Sequence, residues 1–258
     1  MNLKKGMSTT VEASDGTGKG DEIEITINNI HEDAPVSRAV VEKYMSIVRE
    51  RVFVRVEHVS DVPVGYGLGM SAAGALSLSL ALNKCLRAVS EDGARRIAHL
   101  AEIECGTGLG AVIAQSHGGF LLRRAPGDFE AVERVEIDDD FKVVCAFLRP
   151  LSTEKIIRDE GWKRKINEAG SACMRDFTRA SSVENFIFLS RRFALETGLA
   201  KPIERALLKI KEGSMAMLGE TVFVLTREPE TVAELCGNFS GSVIISEISK
   251  EGARVLGD

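Results

Sequence analysis

Pro63-Val64-Gly65-Tyr66-Gly67-Leu68-Gly69-Met70-Ser71-Ala72-Ala73-Gly74 decides the reading of this chain. It follows a strand-like run, Val52-Phe53-Val54-Arg55-Val56-Glu57-His58-Val59, and opens a small-residue stretch from Ser71 to about Ala88 that reads as a helix. Strand, glycine-rich turn and helix start form an anion-binding arrangement, because the first backbone N–H groups of a helix lack intrahelical partners and the macrodipole is positive there. Gly65, Gly67 and Gly69 permit positive φ and close approach of backbone to a ligand. Ser71 is placed to cap the helix and to reach a metal or phosphate oxygen. The string is neither a Gly-Lys-Ser/Thr phosphate loop nor the dinucleotide fingerprint, whose third glycine spacing and following acidic strand end are missing.

Working outward, the preceding residues give a strand over Met7 to Ala13, a turn over Asp15 to Gly20 and a second strand over Glu22 to Asn29, with Ile23, Ile25 and Ile27 alternating. Together they predict a β-hairpin. Ala34 to Arg51 carries Val36, Val40, Val41, Tyr44, Met45 and Val48 at helical spacing. After the glycine stretch, Ser90-Glu91-Asp92 opens a helix to about Glu104. A glycine-rich loop, a short helix, the pair Gly118-Gly119 and a strand over Phe120 to Arg124 follow. Strands over Val132–Ile137 and Phe141–Leu148 flank an acidic turn, Asp138-Asp139-Asp140, best read as solvated. Pro150-Leu151-Ser152-Thr153 starts a helix with Ser152 or Thr153 as its cap. Helices at about 161–178, 182–197 and 202–212 precede strand 221–226, helix 229–236 and strand 242–248.

The 258 residues allow one large domain or two ordinary ones. Hydrophobic residues at 44% and charged residues at 28% describe an ordinary globular balance. A net charge of −5 argues against a nucleic-acid partner, which calls for a basic patch. The five cysteines, Cys85, Cys105, Cys145, Cys173 and Cys236, are scattered without a C-x-x-C pair, so neither a disulfide framework nor a zinc site is indicated. No signal peptide or long apolar run is present, and a cytoplasmic protein with no membrane partner is expected.

The glycine stretch resembles the P-x-x-x-G-L-G-S-S-A-A signature of the GHMP small-molecule kinases, with Met70 in place of the usual first serine. Two further stretches agree. His99-Leu100-Ala101-Glu102-Ile103-Glu104-Cys105-Gly106-Thr107-Gly108-Leu109-Gly110-Ala111-Val112-Ile113-Ala114-Gln115 is most similar to the archaeal pantoate kinases, whose usual string ends in Thr-Gly-Leu-Gly-Asp. Gly213-Ser214-Met215-Ala216-Met217-Leu218-Gly219-Glu220-Thr221 resembles the third glycine-rich motif, which supports the nucleotide loop in that family. Taken singly, His99, Glu102 and Glu104 read better as helix surface residues, and Gly213–Gly219 reads equally well as a plain turn.

The resemblance implies an α+β fold of two domains. The first, over 1–140, is like the second domain of ribosomal protein S5 and binds ATP; the second, over 141–258, is ferredoxin-like. It implies ATP-dependent phosphorylation of pantoate, with another small hydroxy-acid or amino-acid kinase activity, or a nucleotide-binding pseudokinase, as alternatives. Pro63, Gly65, Gly67, Leu68, Gly69, Met70, Ser71, Ala72 and Ala73 would line the nucleotide. Ser71 and Glu102 would hold Mg²⁺ and carry catalysis. His99, Arg123 and Thr153 would face pantoate; a homodimer is an allowed assembly. Ala111 stands where most pantoate kinases carry a catalytic aspartate. Family members begin with an extra strand and a Gly/Ser-rich first motif ahead of an Asn-Leu-x-x-Gly-like string. Met1-Asn2-Leu3-Lys4-Lys5-Gly6 starts inside that string, so the resemblance implies a longer native N-terminus or a truncated protein.

Overall fold

The computed structural model describes residues 1–15, 23–49, 52–108, 110–151 and 153–257, with residues 15 and 153 described by backbone alone. The expected turn over 15–20 and the Ser152 cap therefore fall essentially outside the described residues.

The elements before the glycine stretch are strands β1 (Met7–Asp15), β2 (Ile23–Ile27) and β3 (Ile30–His31), helix α1 (Pro35–Val48) and strand β4 (Val52–Ser60). They build a four-stranded sheet in the order β1-β4-β2-β3. The expected β1–β2 hairpin does not form. β4 inserts between the two strands, antiparallel to β1 and parallel to β2. The reason lies in β4 itself. It alternates Val52, Val54, Val56 and His58 inward, so its core face is buried along nearly its whole length, as befits a central strand, and both of its backbone edges are paired. The α1 residues Val36, Val40, Val41 and Tyr44 are buried against the same core, as their spacing predicts.

Helix α2 (Met70–Leu86) is the centre of this half. Ala72, Ala75, Leu76, Leu78 and Leu82 are wholly buried, because an apolar surface of Ala and Leu without β-branching lets β1, α1, α3 (Glu91–Cys105) and α4 (Ala111–His117) pack on it from several sides. Ser90 caps α3 by accepting from the Gly93 N–H at 3.1 Å. His58 is among the polar groups sealed in this half. His58 accepts or donates at both ring nitrogens, to Thr9 Oγ1 at 2.8 Å and Ser37 Oγ at 3.0 Å, and burial pulls its pKa down to about 4.

The remaining chain forms a two-stranded ribbon, β5 (Leu121–Arg123) with β6 (Val132–Arg134), and a second four-stranded sheet. That sheet is antiparallel in the order β10-β7-β9-β8, from β7 (Lys142–Arg149), β8 (Gly213–Met215), β9 (Glu220–Thr226) and β10 (Ser242–Ser246). Helices α5 (Thr153–Ile157), α6 (Glu160–Arg179), α7 (Val183–Glu196), α8 (Glu204–Lys209) and α9 (Pro229–Gly237) complete the chain. The sheet has two apolar faces. Val144, Ala146, Val222 and Val224 pack on Ile203, Leu207 and Cys236. Val143, Cys145, Phe147, Phe223 and Leu225 pack on Val62 and Met70, with Tyr66 and Leu68 against them. The second face is what positions the site, because it is where the glycine stretch lies.

The α+β composition expected from the sequence is the one observed. Cys145, Cys173 and Cys236 are buried, Cys105 is half-buried and Cys85 is exposed. Among the described residues no helix is long and apolar enough to cross a membrane. The acidic turn is an exposed ion-pair cluster: Arg227 binds Asp138 and Asp140, and Lys250 binds Asp139.

Candidate active site

The glycine loop crosses from β4 to α2 with Gly65, Gly67 and Gly69 all at positive φ, 88°, 82° and 70°. Side chains rarely adopt that region, which explains three glycines at alternate positions. Gly67 has a second constraint. A methyl there would fall 2.5 Å from the Ala216 carbonyl oxygen and 2.7 Å from the Gly219 nitrogen, and a methyl at Gly219 would collide with the backbone of Tyr66 and Gly67. Loop and Gly213–Gly219 stretch therefore touch backbone to backbone. Thr221 Oγ1 donates to the Tyr66 carbonyl at 2.7 Å, and the Leu151 N–H donates to the Gly65 carbonyl at 3.0 Å. Pro63 and Gly65 sit on the exposed rim, Met70 and Ala72 are buried, and Leu68 and Ala73 are intermediate.

Ser71 does not cap α2. Gly69 occupies the N-cap position in a left-handed conformation without a side-chain cap bond, so the helix starts one residue earlier than expected and Ser71 lies inside its first turn. Its hydroxyl lies beside Glu102 of α3 instead, where it opposes the rise of that carboxyl's pKa. Glu102 is 2% exposed, and Thr107 Oγ1 donates to its Oε1 at 2.6 Å. Burial raises the Glu102 pKa, while the Thr107 and Ser71 hydroxyls oppose that rise. The neighbouring turn is tailored to this carboxylate: a side chain at Gly108 would run into Glu102 Oε2.

His99 lies one turn before Glu102 on the same face of α3 and is 6% exposed. Its ring stands edge-on to Phe129 at 5.7 Å, and its Nδ1 is buried without a hydrogen-bond partner. Burial, then the positive charge of Arg123, lower its pKa, which keeps the imidazole neutral. Arg123, from β5, lays its guanidinium where a side chain at Gly110 would be, and burial lowers its pKa. Thr153 begins α5; its side chain is outside the described set, although α5 itself reaches the cleft. Arg158 and Glu154 pack beside Gly106, the left-handed cap of α3.

Glu102, Ser71, His99 and Arg123 are thus brought to one place, at the junction of the glycine loop with the 106–111 turn. Sequence reasoning passed over Thr107 and Gln115. Gln115 Nε2 donates to the Gly69 carbonyl at 2.9 Å. The only signal for either was its membership of the 99–115 string. A cavity of about 570 Å³ opens beside the loop, bordered by Gly67, Gly69, Ala111, Gln115 and Met217; Ser71, Glu102, His99 and Arg123 do not line it, so it adjoins their cluster only through Gly69 and Ala111. Among the described residues no cluster of three or more His, Cys, Asp or Glu side chains could hold a metal by itself. One buried carboxylate with flanking hydroxyls does fit Mg²⁺, which keeps waters and takes most of its ligands from phosphates. The arrangement offers helix N–H groups for phosphates, a carboxylate for a hard cation and a guanidinium beside a neutral imidazole for an anionic acceptor.

Comparison with known proteins agrees with this chemistry. Residues 36–119 match the family described as the GHMP kinases N terminal domain. A pantoate kinase of Methanocaldococcus jannaschii is 41% identical over 176 residues, covering 66% of this chain and 63% of that protein. A pantoate kinase of Thermococcus kodakarensis is 33% identical over 270 residues, covering 99% of this chain and 88% of that one. A solved structure described as a phosphotransferase related to the CoA biosynthesis pathway superimposes with a TM-score of 0.81 at 29% identity, over 97% of this chain and 86% of the other.

Proposed function

Since the chain belongs to the GHMP kinases, and among them to the pantoate kinases, we propose that its cleft transfers the γ-phosphoryl group of ATP to the 4-hydroxyl of pantoate. The product is 4-phosphopantoate, an intermediate of coenzyme A synthesis, and the reaction draws on cytoplasmic ATP. The observation that carries the site assignment is the convergence of Ser71, Glu102, His99 and Arg123 on the mouth of the glycine loop.

In this reading the loop and the first turn of α2 present unpaired N–H groups to the triphosphate, with Pro63, Gly65, Gly67, Leu68, Gly69, Met70, Ala72 and Ala73 shaping the cradle. Glu102 and Ser71 would hold Mg²⁺, which neutralises charge on the β- and γ-phosphates when bound. Burial of Glu102 strengthens its grip on a cation, because water cannot screen the carboxylate. Arg123 takes the pantoate carboxylate; its planar fork suits a two-point hold. His99, neutral at physiological pH, offers Nδ1 to the substrate as an acceptor or donor, and Thr153 would face the acceptor. Phosphoryl transfer has a loose transition state, so positioning and charge neutralisation supply most of the acceleration.

Steady-state kinetics with ATP and pantoate test the proposal. Arg123→Ala should raise KM for pantoate by an amount worth about 2–5 kcal/mol, the usual consequence of stranding a half-buried charge, and leave KM for ATP nearly unchanged. Equal losses for both substrates would make Arg123 a structural residue, and absence of 4-phosphopantoate from the wild-type reaction would end the pantoate reading.

A further inference from the structure

Ala111 begins α4 beside the glycine loop and offers the acceptor hydroxyl no polar atom. Gln115 lies one helical turn later on the same face, and helix side chains lean toward the N-terminus, so its amide rises next to the Ala111 methyl. The distances agree: a methyl at Gly69 would meet Gln115 Nε2 at 3.0 Å and the Ala111 Cβ at 3.2 Å. The orientation of the amide is fixed by its partner. The Gly69 carbonyl can only accept, so the NH₂ group faces it, at 2.9 Å, and Oε1 must face the other way. That Oε1 is buried and has no hydrogen-bond partner. A buried acceptor without a donor is costly, and the residue that carries it borders the cavity beside the loop.

We infer that Gln115 is the residue that orients the acceptor hydroxyl in this chain: its Oε1 accepts the substrate O–H while its Nε2 holds Gly69. The inference rests on the pantoate kinase reading above. The amide is not a base and takes no proton. The hydroxyl oxygen forms a bond to the γ-phosphorus, and the bond from that phosphorus to the β,γ-bridging oxygen breaks, its electron pair leaving with ADP. The hydroxyl proton passes to an oxygen of the transferred phosphoryl group and from there to water. Gln115 supplies direction to the attacking lone pair, and a misdirected nucleophile loses rate steeply.

The test is steady-state kinetics of the full chain with ATP and pantoate. Wild type is compared with Gln115→Met, which keeps length and apolar stem, and with the Gln115→Met, Ala111→Asp double variant. Gln115→Met should lower kcat roughly 10- to 100-fold with KM for ATP within about twofold. Ala111→Asp in the same chain should restore part of the loss, because a carboxylate then takes the hydroxyl. Gln115→Asn, which withdraws the amide by one methylene, should show the same split and serves where the Met variant does not fold. An unchanged kcat in a folded variant overturns the inference. So does a rise in KM for ATP with full kcat at saturation, which would leave Gln115 only the tie to Gly69. Wild-type chain that binds ATP yet yields no product overturns the pantoate reading, and this inference with it, and is told apart by that first measurement.

Discussion

The two walls of the cleft are built by different physics. The Gly65–Met70 wall is held by backbone on backbone: Gly67 and Gly219 interlock, and Thr221, Leu151 and Gln115 bind its carbonyls. The 106–111 wall is held by charged side chains on glycines, with Arg158 at Gly106, Glu102 at Gly108 and Arg123 at Gly110. The first wall must stay fixed to present N–H groups, and packing without side chains makes it rigid. The second must favour ions, and charges do that at some expense to folding. The difference teaches that glycine serves two ends here, close approach in one wall and room for a guanidinium or carboxylate in the other.

The sharpest way to break the comparison is Glu102→Gln. It should lower kcat roughly 10²- to 10³-fold, the scale of removing one fixed electrostatic partner of a transition state. Its effect on folding should have the opposite sign. Burial raises the Glu102 pKa, so the native state keeps that proton to higher pH than the unfolded chain does. The stability this contributes is fully present below the ordinary carboxylate pKa and is lost as pH rises through the raised native one. Above that window Glu102→Gln should melt higher than wild type, as thermal unfolding at several pH values will show. An equal or lower melting point would mean the charge is compensated in the native state.

Gly219→Ala attacks the other wall and should act in the reverse manner. Its methyl meets backbone, which cannot rotate away, so about 1–3 kcal/mol of stability should be lost. KM for ATP should rise well before kcat falls, because the loop is displaced and Glu102 is not. Calorimetry and ATP titration check this. A kcat loss at unchanged KM would place the two walls in one unit.

The smallest effect is expected where the walls meet. Ser71→Ala removes one hydroxyl from Glu102 and no helix cap, so stability should change by under about 1 kcal/mol. Turnover should fall roughly tenfold, since a net 1.5 kcal/mol hydrogen bond to a charged group is about that factor. Full activity would remove Ser71 from the site.

Much of this was legible in the sequence for identifiable reasons. The alternation of Val52, Val54 and Val56 and the helical spacing of Val36, Val40 and Tyr44 are local patterns, and both elements are where they predict. The glycines at 65, 67 and 69 read as positive φ because little else tolerates it. What was not legible is non-local. β1 and β2 look like a hairpin until β4, a later strand, comes between them. Ser71 looks like a cap because Ser before a helix usually is one, but Gly69 takes that position and frees the hydroxyl for Glu102. His58 continues the inward alternation of β4, yet only the fold supplies Thr9 and Ser37 to make a buried imidazole tolerable. The meeting of Gln115 with Gly69 joins residues 46 apart in sequence and leaves no local trace.

Helix α2 has one further consequence. Its first turn is the phosphate cradle, and near its other end is Cys85, whose thiol is exposed, whereas burial pushes those of Cys145 and Cys236 up to about 12 and about 11. Access decides which thiol a bulky reagent meets, so a maleimide dye should find Cys85 first. Cys85 lies sixteen residues after Gly69, so at ~1.5 Å each the dye sits about 24 Å from the loop, a span over which energy transfer to a fluorescent nucleotide is efficient. The chain thus carries an optical ruler, fixed along a buried rod, for watching its own ligand arrive and leave.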